Sequence, residues 1–179
     1  MNLREKFIKR RLLAKGFVLD FVMDTVTLPN GKRAKREFTV SPSAVAVIPL
    51  LDPGHIVMVK QHRYPIQKTI YEIPAGKIDK GESALECVKR ELIEETGFRA
   101  GKIKKLIHFF PSPAFCTERL TIYVATGLKP VKSSPDEDEF IERAIVPAGK
   151  VMQWIKCNKI VDAKTLIALL YYRAFIRRI

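Results

Sequence analysis

The sequence predicts an α+β fold, or a sheet flanked by helices, and three observations carry that expectation. Strand-like apolar runs outnumber helical segments, a capped amphipathic helix interrupts them midway, and two further helical segments close the chain. The 179 residues are 47% hydrophobic and 28% charged, a globular composition with length enough for one core. No internal repeat, low-complexity tract or linker divides them.

Taken in order, Phe17 to Val40 predicts two strands joined at Pro29-Asn30-Gly31, a hairpin turn sequence. "SAVAVIPLL" and "HIVMVKQHRYP" predict two more, separated by Pro53-Gly54, and "TIYEIPAG" a short strand that ends in a Pro/Gly loop. A helix is expected from Ser83 to Thr96, because Ser83-x-x-Glu86 is a capping box and Gly97 a stop. "KIKKLIHFF" and "LTIYVATGL" read as strands around the loop "PSPAFCTER". After "KPVKSSPDEDE" comes the strand "FIERAIVP", then helices around "GKVMQWIKC" and "DAKTLIALLYYRAFIRRI".

Several function classes are excluded on composition. "MNLREKFIKRRLLAKG" lacks the apolar stretch of a secretory signal, and "LIALLYY" is too short to span a bilayer, so no membrane role is expected. Cys87, Cys116 and Cys157 are odd in number and show no paired spacing. They are expected to be reduced thiols of a cytoplasmic protein, not a disulfide frame or a zinc site. The 32 Lys and Arg outnumber the 19 Asp and Glu, giving +13. That excess fits either a solvated basic surface or an anionic partner such as nucleic acid.

The acidic residues are concentrated where the chain is otherwise short of them. Five lie between Glu82 and Glu95 and five more between Asp136 and Glu142. At about 100° per residue Glu91, Glu94 and Glu95 occupy one arc of the helix, beside an apolar stripe of Leu85, Val88 and Leu92. The stripe would hold the helix against a sheet, and the carboxylates would converge outside the core. Like charges at these spacings destabilise a helix unless a cation lies among them. Oxygen ligands of this kind suit Mg²⁺ or Mn²⁺; a solvated acidic face neutralised by Lys89 and Arg90 is the alternative on these residues alone.

The surrounding pattern resolves that choice. "GKIDKGESALECVKRELIEETGF" resembles the Nudix box in full: Gly76, Glu82 after five residues, Arg90-Glu91 after seven more, then Leu92, Glu94-Glu95, Gly97 and Phe98. The resemblance implies the Nudix fold, an α/β/α sandwich with a mixed sheet, and hydrolysis of a nucleoside diphosphate linked to another group. It implies Glu91 and Glu95 as direct metal ligands with the carbonyl of Ala75 as a third. Glu94 would support or bridge the metals and Arg90 would orient the glutamates; Glu82 belongs to the same catalytic set.

Beyond the box, nearly the whole chain is similar to the bacterial and archaeal ADP-ribose pyrophosphatases. "LPNGK", "KREF" and "AVAVIPL", then "VKQHRYP" and "YEIPAGKID", follow the order found there. Pro113 lies 15 residues beyond Phe98, near their specificity proline; "PDEDEFIE" resembles their acidic catalytic loop and "DAKT" their last helix. "SPAF" departs from the usual "SPGF", and "TVSPSAVAV" from the usual "HPGAVAV". Ala114 restricts φ relative to glycine, so an altered ligand-facing loop is expected.

Carried over residue by residue, the resemblance assigns Arg63 to phosphate, where a guanidinium fork is suited. Arg36 and Glu37 would contact substrate across a dimer interface, Phe17 would stack on adenine, and Ser112, Pro113, Ala114 and Glu118 would line the terminal ribose. Glu137 would be the base and Glu139 a metal ligand on the acidic loop. The implied organisation is an N-terminal strand region over residues 1–40, exchanged within a homodimer, and a Nudix hydrolase domain over 41–179. The expected activity is Mg²⁺-dependent (or Mn²⁺-dependent) hydrolysis of ADP-ribose to AMP and ribose 5-phosphate. Another nucleotide sugar, a dinucleoside polyphosphate or an oxidised nucleotide is the alternative substrate. A nucleic-acid-binding Nudix-fold protein is the alternative class; the complete glutamate set argues against it, as binding RNA needs no such face.

Overall fold

Three antiparallel strands open the chain: β1 (Lys6–Lys15), β2 (Asp20–Thr27) and β3 (Arg33–Val40), in that spatial order. The turn between β2 and β3 falls at the expected place, with Gly31 at φ 83° and the Asn30 carboxamide accepting from the Lys32 amide at 3.0 Å. On β2 the residues Val22, Asp24 and Val26 alternate inward and are buried. Asp24 is tolerated there because Arg10 of β1 binds it with two nitrogens, at 2.8 and 2.9 Å, while stacking on Phe38. That fork holds the Asp24 carboxyl below the usual carboxylate range.

Strand β1 was not anticipated. Register shifts between Phe7 and Lys9 and between Leu12 and Ala14 break its two-residue period, and all ten of its residues are exposed, so no burial pattern marks it. The other two strands are the expected pair, although β2 starts at Asp20 and not at Phe17.

The computed structural model describes residues 2–132 and 140–176, and it divides them into two compact units. Met1–Ser43 with Phe110–Arg119 make the first. Its internal ties include the Thr39 amide donating to the Phe115 carbonyl at 2.9 Å and the Thr117 amide to that of Thr39 at 3.0 Å. Ala44–Phe109 with Leu120–Ile179 make the second.

In the second unit, β4 (Ala44–Asp52) pairs antiparallel with β5 (His55–Arg63). A 3-10 turn at Tyr64–Ile66 leads into β6 (Lys68–Glu72), which pairs β5. That short strand ends before Ile73-Pro74 as expected, but the Pro/Gly stretch after it is not only loop: β7 (Ala75–Lys77) pairs β4. Helix α1 (Ala84–Thr96) follows, then β8 (Phe98–Arg99), β9 (Lys102–Phe109) and β10 (Leu120–Thr126). The chain continues with β11 (Lys129–Pro130), β12 (Ile141–Pro147), α2 (Ala148–Lys156) and α3 (Ala163–Phe175). Strand β10 runs parallel to β4 whereas its other partner β9 is antiparallel, so the sheet is mixed, ordered β12-β5-β4-β10-β9.

Strand β4 is apolar on both faces, which requires a layer on each. Val45 and Val47 pack with Val88 and Leu92 of α1; Ala44, Ala46 and Ile48 pack with Val151 of α2 and Ala168 and Leu169 of α3. This is the expected α/β/α sandwich, and α1 is the layer that carries the glutamates.

Candidate active site

Helix α1 is fixed at both ends before any tertiary contact is counted. The Ser83 hydroxyl accepts the Glu86 amide at 3.2 Å and the Glu86 carboxylate accepts the Ser83 amide at 2.9 Å. Gly97, at φ 68°, ends the helix and donates its N–H to the Ile93 carbonyl at 2.8 Å. Its buried arc differs from the expected stripe. Leu85 is 44% exposed, and the buried residues are Cys87, Val88, Glu91, Leu92, Glu95 and Thr96. Glu91 and Glu95 thus sit within the packed face, at 7% and 8% exposure, and do not converge outside it.

Burial of carboxylates demands partners, and Arg90 is a common one for Glu82, Glu91 and Glu94. Its Nε donates to Glu82 at 3.0 Å and its Nη1 to Glu91 at 2.8 Å and Glu94 at 2.9 Å. Nη2 reaches Glu82 at 3.1 Å and the Lys77 carbonyl at 3.2 Å. One guanidinium therefore aligns three glutamates and ties them to β7. Its bond holds the Glu82 carboxyl down to about 2, and the same contacts raise the already high value of Arg90. Cys87, next to this cluster, is pushed up to about 12 by burial and stays a thiol.

Strand β7 supplies the opposite wall. The Ala75 amide donates to Glu95 at 3.0 Å, and the Glu91 carboxylate lies over Gly76 so closely that a Cβ there would stand 1.8 Å from Oε1. Glu91 and Glu95 are thereby set against consecutive residues of one strand. Their donors are all hard oxygens, the type Mg²⁺ and Mn²⁺ take. Among the described residues no three His, Cys, Asp or Glu side chains form a ready cage. That is compatible with Mg²⁺, which uses few carboxylates and keeps waters and substrate phosphates as its remaining ligands. The residues fit the metal in donor type and in their placement about β7.

Next to the Ile73-Pro74 break lies a second charge cluster. Glu72, 1% exposed, accepts two bonds from Arg63 at 2.6 and 2.7 Å and a third from Lys164. Lys164 also pairs with Asp162 at 3.1 Å. Asp162 caps α3 by accepting the Thr165 amide and hydroxyl, at 3.0 and 2.6 Å, and that hydroxyl accepts the Ile73 amide at 2.9 Å. Burial pushes the Glu72 carboxyl up, but Arg63 and Lys164 outweigh it and the net shift is downward. "YEIPAG" and "DAKT" signalled this cluster only as family motifs; their pairing across 92 residues was not expected.

Glu82, Arg90, Glu91, Glu94, Glu95 and Ala75 are thus gathered in the second unit, and Arg63 lies in the same unit, gripped by Glu72. Phe17, Arg36, Glu37, Ser112, Pro113, Ala114 and Glu118 belong to the first unit. There Phe17 is fully exposed and Arg36 donates to Glu5 at 3.0 Å. The Ser112 carbonyl accepts the Phe115 and Cys116 amides at 3.1 and 2.9 Å, closing the turn that holds Pro113 and Ala114. The left-handed non-glycine residues among those described are Gln67 and Asn158, so this turn does not demand a glycine at Ala114. Glu137 and Glu139 lie outside the described residues.

Comparison with known proteins identifies the family and the fold. The NUDIX domain profile matches residues 40–169. The chain is 42% identical over 172 residues to an ADP-ribose pyrophosphatase of Bacillus subtilis (strain 168), covering 95% of this chain and 93% of that one. It is 43% identical over 169 residues to a methanol dehydrogenase activator of Bacillus methanolicus, covering 93% and 91%. A solved ADP compounds hydrolase shares the fold with a TM-score of 0.88 at 24% identity, over 100% of both chains. No helix among the described residues is long and apolar enough to cross a membrane.

Proposed function

The chain belongs to the Nudix hydrolase family, and from that premise we propose that it hydrolyses the diphosphate bond of ADP-ribose, giving AMP and ribose 5-phosphate. The observation that carries the chemistry is the Arg90-centred glutamate set laid against Ala75 and Gly76. The likeness to the Bacillus subtilis enzyme supports the substrate.

A diphosphate bridge is hard to attack because its charge repels a nucleophile. A Mg²⁺ ion, or Mn²⁺ in its place, would be held by Glu91, Glu95 and the Ala75 carbonyl with Glu94 beside them, offsetting that charge and acting as a Lewis acid. The protein's own part is positional. Arg90 keeps Glu82, Glu91 and Glu94 in one orientation, and Glu82 stays ionised at any working pH. Arg63, held in a fixed plane by Glu72, would offer its outer edge to a phosphate. Glu137 is assigned as the base that takes the proton of the attacking water, and Glu139 as a further ligand. Phe17, Arg36, Glu37, Ser112, Pro113, Ala114 and Glu118 are assigned to the nucleoside and terminal ribose.

The same reading includes a homodimer, in which Arg36 and Glu37 serve the neighbouring subunit, and a cytoplasmic location, where the free thiols Cys87, Cys116 and Cys157 suit a reducing compartment. A panel of ADP-ribose, other nucleotide sugars, dinucleoside polyphosphates and oxidised nucleotides, run with Mg²⁺ and then Mn²⁺, tests the assignment. ADP-ribose should be turned over fastest and yield AMP with ribose 5-phosphate; preference for another substrate removes it. The relative from Bacillus methanolicus adds a second reading, activation of a dehydrogenase. A rise in methanol dehydrogenase rate on addition of this chain would support it.

A further inference from the structure

The end of α1 sets acidic side chains against the helix dipole. The C-terminal end of a helix carries partial negative charge, so acidic side chains there are unfavourable and basic ones favourable. Helix α1 has Glu94 and Glu95 in its last turn and no basic residue there. Arg90 lies a turn earlier and is engaged toward Glu82, Glu91 and Glu94.

A cation from another element reaches this end of the helix. Arg143, on β12 opposite Val59 of β5, donates Nη1 to the Thr96 carbonyl at 2.8 Å. Its guanidinium also lies over the Phe98 ring, 5.2 Å from the centroid. The Thr96 carbonyl is one of the acceptors that a helix leaves without an internal donor. Nearby carbonyls have other donors: the Thr96 hydroxyl donates to Leu92, the Gly97 amide to Ile93, and the Val131 amide, from after β11, to Gly97 at 2.9 Å. Arg143 therefore gives the helix end a charge-assisted bond at the residue that follows Glu95.

We propose that Arg143 is a positioning residue for the metal face. It holds the last turn of α1 closed, so that Glu95 stays set against the Ala75 amide of β7, with Glu94 beside it on the same turn. The inference rests on the reading of α1 as a metal-binding helix, and the sign of its effect separates it from a simple charge effect. A cation near a metal site repels the metal through space, so deleting it would tighten metal binding if Coulomb repulsion were its main influence. A positioning role demands the opposite.

The test uses the full-length protein and Arg143→Gln and Arg143→Lys. Calorimetric titration with Mn²⁺ or Mg²⁺ in the absence of substrate reads metal affinity directly, with thermal unfolding and a Mg²⁺ titration of ADP-ribose hydrolysis alongside. Arg143→Gln should weaken metal binding about three- to tenfold, the size of a charge-assisted helix-end contact. Its kcat at saturating metal should stay within about twofold of wild type, since Arg143 is not assigned to substrate. Arg143→Lys keeps the charge and a donor and should recover most of the affinity. Unchanged or tighter metal binding in Arg143→Gln, or no recovery in Arg143→Lys, overturns the proposal while leaving the proposed activity standing. A wild-type chain that takes up no metal overturns both.

Discussion

Glu91 occupies the space that any side chain at Gly76 would need: a Cβ there would lie 1.8 Å from Oε1 and 1.9 Å from Cδ. The glycine is required by close approach, since Gly76 is not among the residues with positive φ. Gly76→Ala must displace the Glu91 carboxylate or the β4–β7 pairing. The expected loss is on the order of 100-fold or more in kcat with about 1–3 kcal/mol of stability, as for an overpacked site. Steady-state kinetics and thermal unfolding check it, and a fully active Gly76→Ala enzyme would show that Glu91 need not lie where it does.

Much of this face was legible because its determinants are local. A capping box, a helix-ending glycine and a fixed spacing of glutamates and arginine all fall between Gly76 and Phe98. The packing of β4 was legible as an apolar run, although not which residue faced α1. Strand β1 was hidden by its bulges and its exposure, and the Glu72–Lys164 pair by the 92 residues between its members. The burial of Glu91 and Glu95 was misjudged for a physical reason. Spacing gives the angle of a side chain around its helix but says nothing of a short strand, such as β7, that comes to lie against that angle.

Glu94→Gln and Glu95→Gln are each expected to lower kcat by about 10²–10⁴-fold with the fold intact. In Glu95→Gln the side-chain amide oxygen can still accept the Ala75 N–H, so the loss should fall on chemistry and not on folding. Near-normal turnover at saturating Mg²⁺ in either variant would remove that carboxylate from the site.

The Glu72 cluster makes a stability prediction instead. Glu72→Gln leaves Arg63 and Lys164 facing a neutral group in a nearly water-free position. Removing one partner of a fully buried pair typically costs about 3–5 kcal/mol; the cost here should fall below that range, because the Arg63 side chain is 41% exposed and Lys164 keeps Asp162. Lys164→Met should cost less, because Arg63 still neutralises Glu72. Denaturant unfolding of both variants gives the order; equal losses would mean that Lys164 contributes as much as the guanidinium.

The Glu82–Arg90 bond predicts an acid dependence with a definite sign. Glu82 has a folded value of about 2 against 4.5 for an unperturbed glutamate. A depressed carboxyl binds more protons in the unfolded chain, so its contribution is fully present above pH 4.5 and is lost as pH falls towards 2. The stability gap between wild type and Glu82→Gln should therefore narrow as pH falls across that window. Parallel melting curves for the two proteins from pH 5 to about 2 would show that the bond is not maintained in solution.

Association is the remaining expectation. The first unit exposes Phe7, Leu12, Phe17 and Val18, at 63%, 52%, 112% and 47%, along a strand and turn where nothing in that unit covers them. Exposed apolar side chains grouped in this way mark an interaction surface, and β1 has only β2 as a partner among the described residues, which leaves its other edge unpaired. A second copy of the same chain could cover both the apolar side chains and the edge at once. Sedimentation at assay concentration should show a dimer, and Phe7→Ser with Leu12→Ser should dissociate it while the second unit keeps its core. If activity falls with dissociation, Arg36 and Glu37 act across the interface. A wild-type protein that sediments as a fully active monomer would mean that Arg36, bound to Glu5 of its own chain, serves the first unit and not a neighbouring active site.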